Sequence, residues 1–306
     1  MKRKLIKQGK NALTITLPAK WVETNGLKSG NLIELLEEHN VLKISTEEIK
    51  KEKKIIKIAY SDQVLFLKRV LINLYRKGYD EITITTTQRI PFTRVTSKLD
   101  ELIGFEIVEH TEKKLVVRNL STPIDEEFDN TYRRFYRLTL TFAKEVLRAI
   151  KTKKYKDLKD IASLDKQVNR LYNFCVRIIN QKINDFSKKG LFYIQAITYI
   201  EQIGDQLDEM SKQFSNPKLE VSKGSIKLFE TIIQIFENVY ELSYEFDFKK
   251  LETTEKIREN LFSNYFNREK LGKGDILLSH HLYIILECLF HIEVYFLDVE
   301  EYISTF

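Results

Sequence analysis

The first twenty residues combine six positive charges with no aspartate or glutamate. The cations are Lys2, Arg3, Lys4, Lys7, Lys10 and Lys20. Cations clustered on a small unit can neutralise phosphates and release the counterions that condense on a nucleic acid. The whole chain carries only +6, so any nucleic-acid surface would be local and would lie here. Solvation alone also explains many lysine clusters, and composition leaves that alternative open.

Carboxylates recur at helical spacing in the middle of the chain. Glu201 and Asp205 are four residues apart and therefore share one helix face, with Asp208 one turn further. Asp165 and Asn169 have the same spacing on the preceding helical stretch. Two facing helices with such pairs can supply hard oxygen ligands to a cation. The alternative is an ordinary solvated helix face, on which carboxylates at this spacing are common.

The residues that enzymes use for nucleophilic or metal-assisted chemistry form no recognisable motif. The sequence has no Walker loop, no His-Glu-x-x-His, no Cys-x-x-Cys and no Ser/His/Asp grouping. Its two cysteines, Cys175 and Cys288, cannot form a disulfide framework, which favours a reducing compartment. No apolar segment of a secretory signal follows the basic N-terminus. We therefore predict a cytoplasmic protein that is not an enzyme.

Short strands around one helical turn must position the N-terminal cations. Leu13, Ile15 and Leu17 alternate with threonines, which indicates a strand that ends at Pro18. The other predicted elements are a brief helix over 20–24 and two strands over 32–35 and 41–44. Forty-odd residues of this kind bury little apolar surface alone, so we expect residues 1–46 to self-associate.

A lysine-rich linker at 50–54 leads into a mixed α/β module over residues 54–119. Its predicted elements are strands at 55–60 and 82–85, a helix capped by Ser61 that ends at Gly78, a short helix at 93–102, and a hairpin of 105–108 with 115–117. No Gly-rich loop joins a strand to a helix, so the module gives no indication of nucleotide binding.

After Pro123 apolar residues recur with a period of 3.6, and glycine and proline become rare. Helices are predicted at about 126–152, 157–186, 189–214, 224–246, 249–269 and 275–304. We expect an all-α body of two three-helix halves that join near Pro217. The most apolar stretch, 276–297, contains three histidines and two glutamates, which favours a buried bundle helix over a membrane span.

The N-terminal segment resembles the AbrB/MazE/SpoVT swapped-hairpin family. The similar residues are 3–22, with the sequence RKLIKQGKNALTITLPAKWV, and 25–35, with NGLKSGNLIEL, in which Asn31 replaces the usual Asp. The resemblance implies an obligate dimer with interleaved hairpins and, in most members, DNA binding by basic residues of the first strand and loop. The corresponding positions are Arg3, Lys4, Lys7 and Lys10, with Lys20 at the start of the short helix. Some members serve only to dimerise.

The helical half resembles PhoU domains. Residues 199–210, with YIEQIGDQLDEM, are similar to the PhoU signature helix, with Gln202 and Gln206 in place of the usual Arg and His. Some PhoU proteins bind metal through paired acidic residues. The resemblance carries this role to Glu201 and Asp205, with Asp165 on the preceding helix, and implies a divalent or ferric ion as the one candidate cofactor.

The α/β module is similar to the connector of archaeal proteins that join an AbrB-like head to a PhoU-like body. The similar segments are 74–82, with LYRKGYDEI, and 102–109, with LIGFEIVE. The combined resemblance implies a multidomain, mainly α protein. It has a head at 1–46, a connector at 54–119 and a six-helix body of two three-helix repeats at 123–306.

The function that these resemblances imply is a dimeric, DNA-binding regulator of phosphate uptake or metabolism. A signal received by the body would change how the head engages DNA. The alternative is a PhoU-type regulator that contacts the phosphate ABC transporter while its head only dimerises. An antitoxin that caps a toxin is less well supported, because it leaves the long bundle unexplained. The expected partners are DNA, a second copy, and the transporter or a histidine-kinase-type phosphate sensor, without membrane insertion.

Overall fold

The computed structural model of the chain describes residues 2–9, 12–38, 41–46, 53–60, 67–90, 99–120, 127–181, 189–215, 219–264 and 271–299. The chain divides into two units, Met1–Glu52 and Lys53–Phe306, and each is described by itself. The first unit is a small β-rich head, and the second contains both the α/β connector and the helical body. The predicted multidomain, mainly α fold is confirmed.

The head consists of two short hairpins and one helix. Strand β1 (Ile6–Gln8) pairs antiparallel with β2 (Ala12–Thr14), α1 spans Ala19–Thr24, and β3 (Glu34–Glu38) pairs antiparallel with β4 (Val41–Ser45). The strand predicted to reach Leu17 ends at Thr14, because residues 15–17 pair with no strand in the described part of the head. Gly26 and Gly30, with φ of 63° and 90°, make the left-handed turns that lead from α1 to β3.

The head has no buried side chain among those that the structure describes. Seven of its large apolar side chains are instead between 48% and 94% exposed; they are Leu5, Ile6, Leu13, Ile15, Leu32, Leu35 and Leu42. A single copy of the head therefore leaves in water the residues that would otherwise form a core, as its small size predicts.

The connector is a four-stranded sheet with the order β5-β6-β8-β7. Its elements are β5 (Ile55–Tyr60), α2 (Leu67–Arg76), β6 (Glu81–Thr86), β7 (Phe105–His110) and β8 (Lys114–Asn119). Strands β5 and β6 are parallel, and β8 runs antiparallel to both β6 and β7. Leu71 and Tyr75 of α2 pack with Ile82, Ile84 and Val117 of the sheet in one buried cluster.

The predicted strands and the C-terminal hairpin of the connector are confirmed. Helix α2 ends before Gly78, which adopts φ of 83°. The cap predicted at Ser61 lies outside the described residues, as does most of the short helix predicted at 93–102.

The described part of the body has six long helices in two halves. The first half contains α3 (Glu127–Lys151), the single-turn α4 (Leu158–Ile161), α5 (Leu164–Gln181) and α6 (Lys189–Phe214); the second contains α7 (Lys223–Leu242), α8 (Phe248–Asn264) and α9 (Lys273–Val299). One hydrophobic core runs through both halves. The helix predicted at 157–186 is interrupted, because a 3₁₀ turn (Tyr155–Asp157) and α4 precede α5. Residues 182–188 lie outside the description.

Helix α9 is the one described helix whose length and composition would allow it to cross a membrane, over Lys273–Tyr295. More than half of its apolar window is buried inside the protein, as is usual for the core helix of a bundle. Leu282, Leu286 and Leu289 are completely buried in the core shared with the other helices. This packing agrees with the sequence-based interpretation of a bundle helix.

A buried arginine docks the connector onto α5. The side chain of Arg177 is only 3% exposed. Its guanidinium donates to the backbone carbonyls of Tyr75 (3.0 Å) and Tyr79 (2.6 Å) and forms an ion pair with Asp80 (2.7 Å). These acceptors belong to the end of α2 and the turn that follows it. The arginine therefore satisfies carbonyls that the end of a helix leaves without donors.

Further polar contacts surround the arginine and fix the orientation of α2. Arg76 donates through Nε to Oδ1 of Asn173 (2.7 Å), and Asn180 donates to the carbonyl of Arg76 (2.8 Å). Gln181 packs so closely on the turn that a Cβ at Gly78 would lie 2.7 Å from its Cγ. Glycine at this position thus permits both the positive φ and the close approach of α5.

Replacement of Arg177 tests how much this docking contributes to stability. We expect Arg177→Met to lower the free energy of unfolding by about 3 kcal/mol, because Asp80 and two carbonyls lose a buried cationic partner. Arg148→Met is the matched control: its ion pair with Glu145 is exposed and screened by water, and we expect a much smaller loss than for Arg177→Met. Urea unfolding measures both. Equal losses in the two variants would contradict the docking role.

Candidate DNA-binding head and acidic helix face

The predicted DNA-binding residues lie on the exposed surface of the head. Arg3 and Lys4 precede β1, Lys7 lies in that strand, and Lys20 lies in the first turn of α1. No ion pair with a carboxylate is found for these four side chains within the described residues. Lys10 lies outside the described residues. Carboxylates in the described part of the head thus leave these four cations unneutralised, which is the charge state that phosphate contacts require.

The predicted metal-binding residues come together where α5 and α6 cross. Asp165 lies in the first turn of α5, and Glu201 and Asp205 lie on α6 with Asp208 one turn further. A Cβ built at Gly204 would lie 2.8 Å from Val168 and 4.0 Å from Oδ1 of Asp165. The absence of a side chain at this glycine therefore allows α5 to approach α6 and brings Asp165 towards the carboxylates of α6.

Burial and mutual repulsion make these carboxyls easier to protonate. Burial, followed by the charges of Asp208 and Asp205, raises the pKa of Asp165 to about 6. Burial, followed by the charge of Asp205, raises the pKa of Glu201 to about 7. The pKa of Asp205 is also raised, first by burial and then by Asp208. The four carboxyls, which we call the acidic face, therefore act on one another electrostatically.

Two cations and one amide moderate the repulsion at the acidic face. Lys212 forms an ion pair with Asp208, and Asn169 donates to Oδ2 of Asp165 at 2.8 Å. Arg76, which reaches in from the connector, lowers the pKa of Glu201. Oδ1 of Asp165 is buried and has no hydrogen-bond partner in the described structure. The acidic face is thus electrostatically linked to α2 of the connector.

The acidic face has the ligand types of a metal site, but its side chains are too far apart to hold a metal ion together. Its carboxylates are the hard oxygen donors that divalent and ferric ions prefer. Among the described residues, however, no three His, Cys, Asp or Glu side chains come close enough to hold a metal ion together. A metal at Asp165, Glu201 and Asp205 therefore stays a prediction, and it would require these side chains to move towards one another.

Comparison with protein families identifies two parts of the chain. Residues 6–56 match the family described as antidote-toxin recognition MazE, bacterial antitoxin. Residues 125–214 match the PhoU domain. The chain joins a MazE-type head to a PhoU domain. Comparison with curated proteins and with solved structures found no match.

The two family matches correspond to separate structural parts. The MazE match covers both hairpins and α1 of the head, and the PhoU match covers α3 to α6, the first half of the body. Both families are regulatory rather than enzymatic, which agrees with the absence of catalytic motifs. The acidic face belongs to the matched PhoU half. The second half, α7 to α9, lies beyond that match.

Two residues at the acidic face were not identified by sequence analysis. Gly204 was noted only as part of the signature helix, although its missing side chain permits the close contact with Asp165. Arg76 lies 125 positions before Glu201 and belongs to another module. A helical pattern reports contacts within one helix, so it gave no signal for an arginine that approaches from the connector.

The raised pKa values predict how stability depends on pH. A carboxyl whose pKa is raised in the folded state stabilises it fully below its unfolded pKa, and this contribution is lost as pH rises through the folded pKa. For Glu201 the loss falls between about pH 4.5 and 7. We expect Glu201→Gln to reduce the fall in unfolding free energy across this interval by about 1–3 kcal/mol. Chemical unfolding at several pH values measures it.

Glu209→Gln is the matched control for the pH dependence, because Glu209 lies on the same helix and is exposed. Its pH profile should coincide with that of the wild-type protein. If Glu201→Gln also leaves the profile unchanged, burial and repulsion do not act on Glu201 as described.

A metal titration tests the predicted cation site. Mn²⁺ or Fe³⁺ should raise the melting temperature of the wild-type protein, because a bound cation relieves repulsion and stabilises the folded state. The Glu201→Gln, Asp205→Asn double variant should not respond, and without metal it should melt at or above the wild-type temperature. An unchanged wild-type melting curve at millimolar metal would show that the acidic face is not a cation site.

Proposed function

We propose that this protein is a cytoplasmic, homodimeric, DNA-binding regulator of phosphate uptake or metabolism. The observation that carries the proposal is the joining of two regulatory modules in one chain: a basic MazE-type head and a PhoU domain. The first supplies a surface for DNA or for a second copy, and the second supplies a surface that receives a signal.

The exposed apolar residues of the head support a dimer. Seven large apolar side chains are exposed in a unit without any buried described residue. Pairing with a second head would remove this surface from water at about 25 cal/mol per Å², which a segment of this size cannot achieve alone. Interleaved hairpins, as the family resemblance implies, would do so and would bring two sets of cations together.

The docked connector supports coupling between the body and the segment that precedes it. The connector starts at the residues that follow the head, and Arg177 fixes it to α5. A change at the acidic face acts on Arg76, whose side chain holds Asn173 and whose backbone carbonyl accepts from Asn180. A cation or a proton at the acidic face would therefore alter the contacts of α2.

A second candidate function is regulation by protein contact with the phosphate ABC transporter or with a histidine-kinase-type phosphate sensor. The PhoU match favours it, because this domain covers more of the chain than the head does. In that case the head would serve only to dimerise. An antitoxin function, which the description of the head family suggests, would leave the body without a role.

The exposed apolar side chains of the head predict that the protein is a dimer. Light scattering of the full chain should give at least twice 36.3 kDa. Leu13→Asp together with Leu35→Asp should give a monomer, because carboxylates would then have to be buried at the interface. Ile276→Asp, at a similarly exposed position of the body, should stay dimeric. A monomeric wild-type protein would rule out the dimer.

The DNA-binding proposal is tested by charge reversal. Arg3→Glu, Lys4→Glu and Lys7→Glu together should weaken DNA binding, and the slope of log affinity against log salt should fall by up to about 3, since each phosphate contact contributes about 0.9. Reversal of Lys153, Lys154 and Lys156 in the body is the control with the same charge change. Fluorescence anisotropy with a labelled duplex measures both. Equal affinity in wild type and head variant would favour the second candidate function.

A further inference from the structure

The second half of the body buries a carboxyl group for which the described residues provide no hydrogen-bond partner. Glu293 of α9 is 2% exposed, and neither of its oxygens has a hydrogen-bond partner within the described structure. The hydroxyls of Tyr132 and Tyr136 on α3 are likewise buried and without a partner there. Buried polar groups in proteins are nearly always hydrogen-bonded, and each exception calls for a physical explanation.

Side chains of two other helices, α3 and α8, interact electrostatically with this carboxyl group. The charge of Glu293 acts on Tyr136 of α3, whose ring lies 5.0 Å from that of Tyr240 of α7. From α8, the charges of Glu255 and Arg258 act on Glu293. The nearby cation is already engaged, because Arg258 donates to Glu255 at 2.8 Å. Its guanidinium also lies 4.0 Å above the ring of Phe290.

Helix α8, which carries both of these charges, fully buries few of its described side chains. Among its described side chains only Leu251 and Thr254 are buried. Thr254 accepts a hydrogen bond from Asn238 of α7 at 3.2 Å. The other long helices of the body bury apolar side chains along most of their length. Ile257, Leu261 and Phe262 of α8 pack partly buried against the core. Because it buries fewer side chains than the others, α8 is the long helix of the body that can separate from the core at the lowest cost.

We propose that Glu293 is a proton-binding site of the body and that α8 is a lid whose closure depends on that proton. The neutral acid can be enclosed, whereas an ionised carboxylate without a donor is too costly to bury. When Glu293 loses its proton, α8 separates from α9 and admits water to the carboxylate. The site lies outside the matched PhoU half and does not depend on DNA binding by the head.

The electrostatics place this transition in the physiological range. Burial, followed by the charge of Glu255, raises the pKa of Glu293 to about 8, and Arg258 opposes the rise. Once α8 has opened, water surrounds the carboxyl and its pKa returns to about 4.5. The raised pKa means that closure is stabilised fully at low pH and that this contribution is lost as pH rises to about 8. Opening should therefore become up to tenfold easier with each pH unit.

Amide hydrogen exchange of the full chain tests the lid. Protection factors of the α8 amides, corrected for the intrinsic dependence of exchange on pH, should fall by up to about a hundredfold between pH 6 and 8 in the wild-type protein. Those of α3 should fall far less. In Glu293→Gln, which keeps the size of the side chain without its charge, the protection of α8 should not change with pH. Glu287→Gln on the same helix should behave like wild type.

Two results would overturn the proposal. The first is equal protection of α8 at pH 6 and 8 in the wild-type protein. It would show either that Glu293 keeps its proton or that it loses the proton while α8 stays in place, for example because Arg258 leaves Glu255 and pairs with Glu293. A fall in Glu293→Gln as steep as in wild type would show that another group controls α8. The wild-type comparison of α8 with α3 decides the question even if the variant does not fold.

Discussion

The guanidinium of Arg177 is enclosed by backbone carbonyls from the end of α2 and by the carboxylate of Asp80, and this contact joins two modules into one unit. A buried arginine is tolerated only when its donors are satisfied, so the partners must stay in place. Gly78 allows the turn that presents them, and Gln181 packs directly on that turn. The position of the connector on α5 therefore depends on the cation Arg177 and on glycine at position 78, where a larger residue would collide with Gln181.

This docking places the connector next to the acidic face, where the pKa values of three carboxyls are raised. Arg76 is held by Asn173, lies 4.5 Å above the ring of Tyr172 and acts on Glu201 at the acidic face. A change of charge at that face is thus felt by a side chain that also fixes α2. Coupling between sites requires an element that both of them influence, and under the proposed function α2 would be that element.

The periodicity of the sequence predicted the local elements well. The 3.6-residue pattern located the body helices to within a few residues, except where α4 and a 3₁₀ turn precede α5, and alternation located the connector strands.

What the sequence did not reveal depends on contacts between distant residues. Arg177 and Asp80 are 97 positions apart, and Glu293 is buried where the charges of Glu255 and Arg258 from another helix act on it. The acidic face was predicted from its spacing, but the approach of Asp165 depends on Gly204, whose role is visible only in the packed pair of helices.

Under the proposed function, the state of the body changes how the head binds DNA. The most direct test compares the affinity of the full-length protein for a labelled duplex, at one salt concentration, between wild type and the Glu201→Gln, Asp205→Asn variant. Glu209→Gln with Glu252→Gln, at exposed positions of α6 and α8, controls for the loss of two negative charges. We expect the affinity of the acidic-face variant to differ from that of this control by about fivefold or more, the usual range of coupling between sites. Equal affinities of the two variants would contradict coupling between the body and the head.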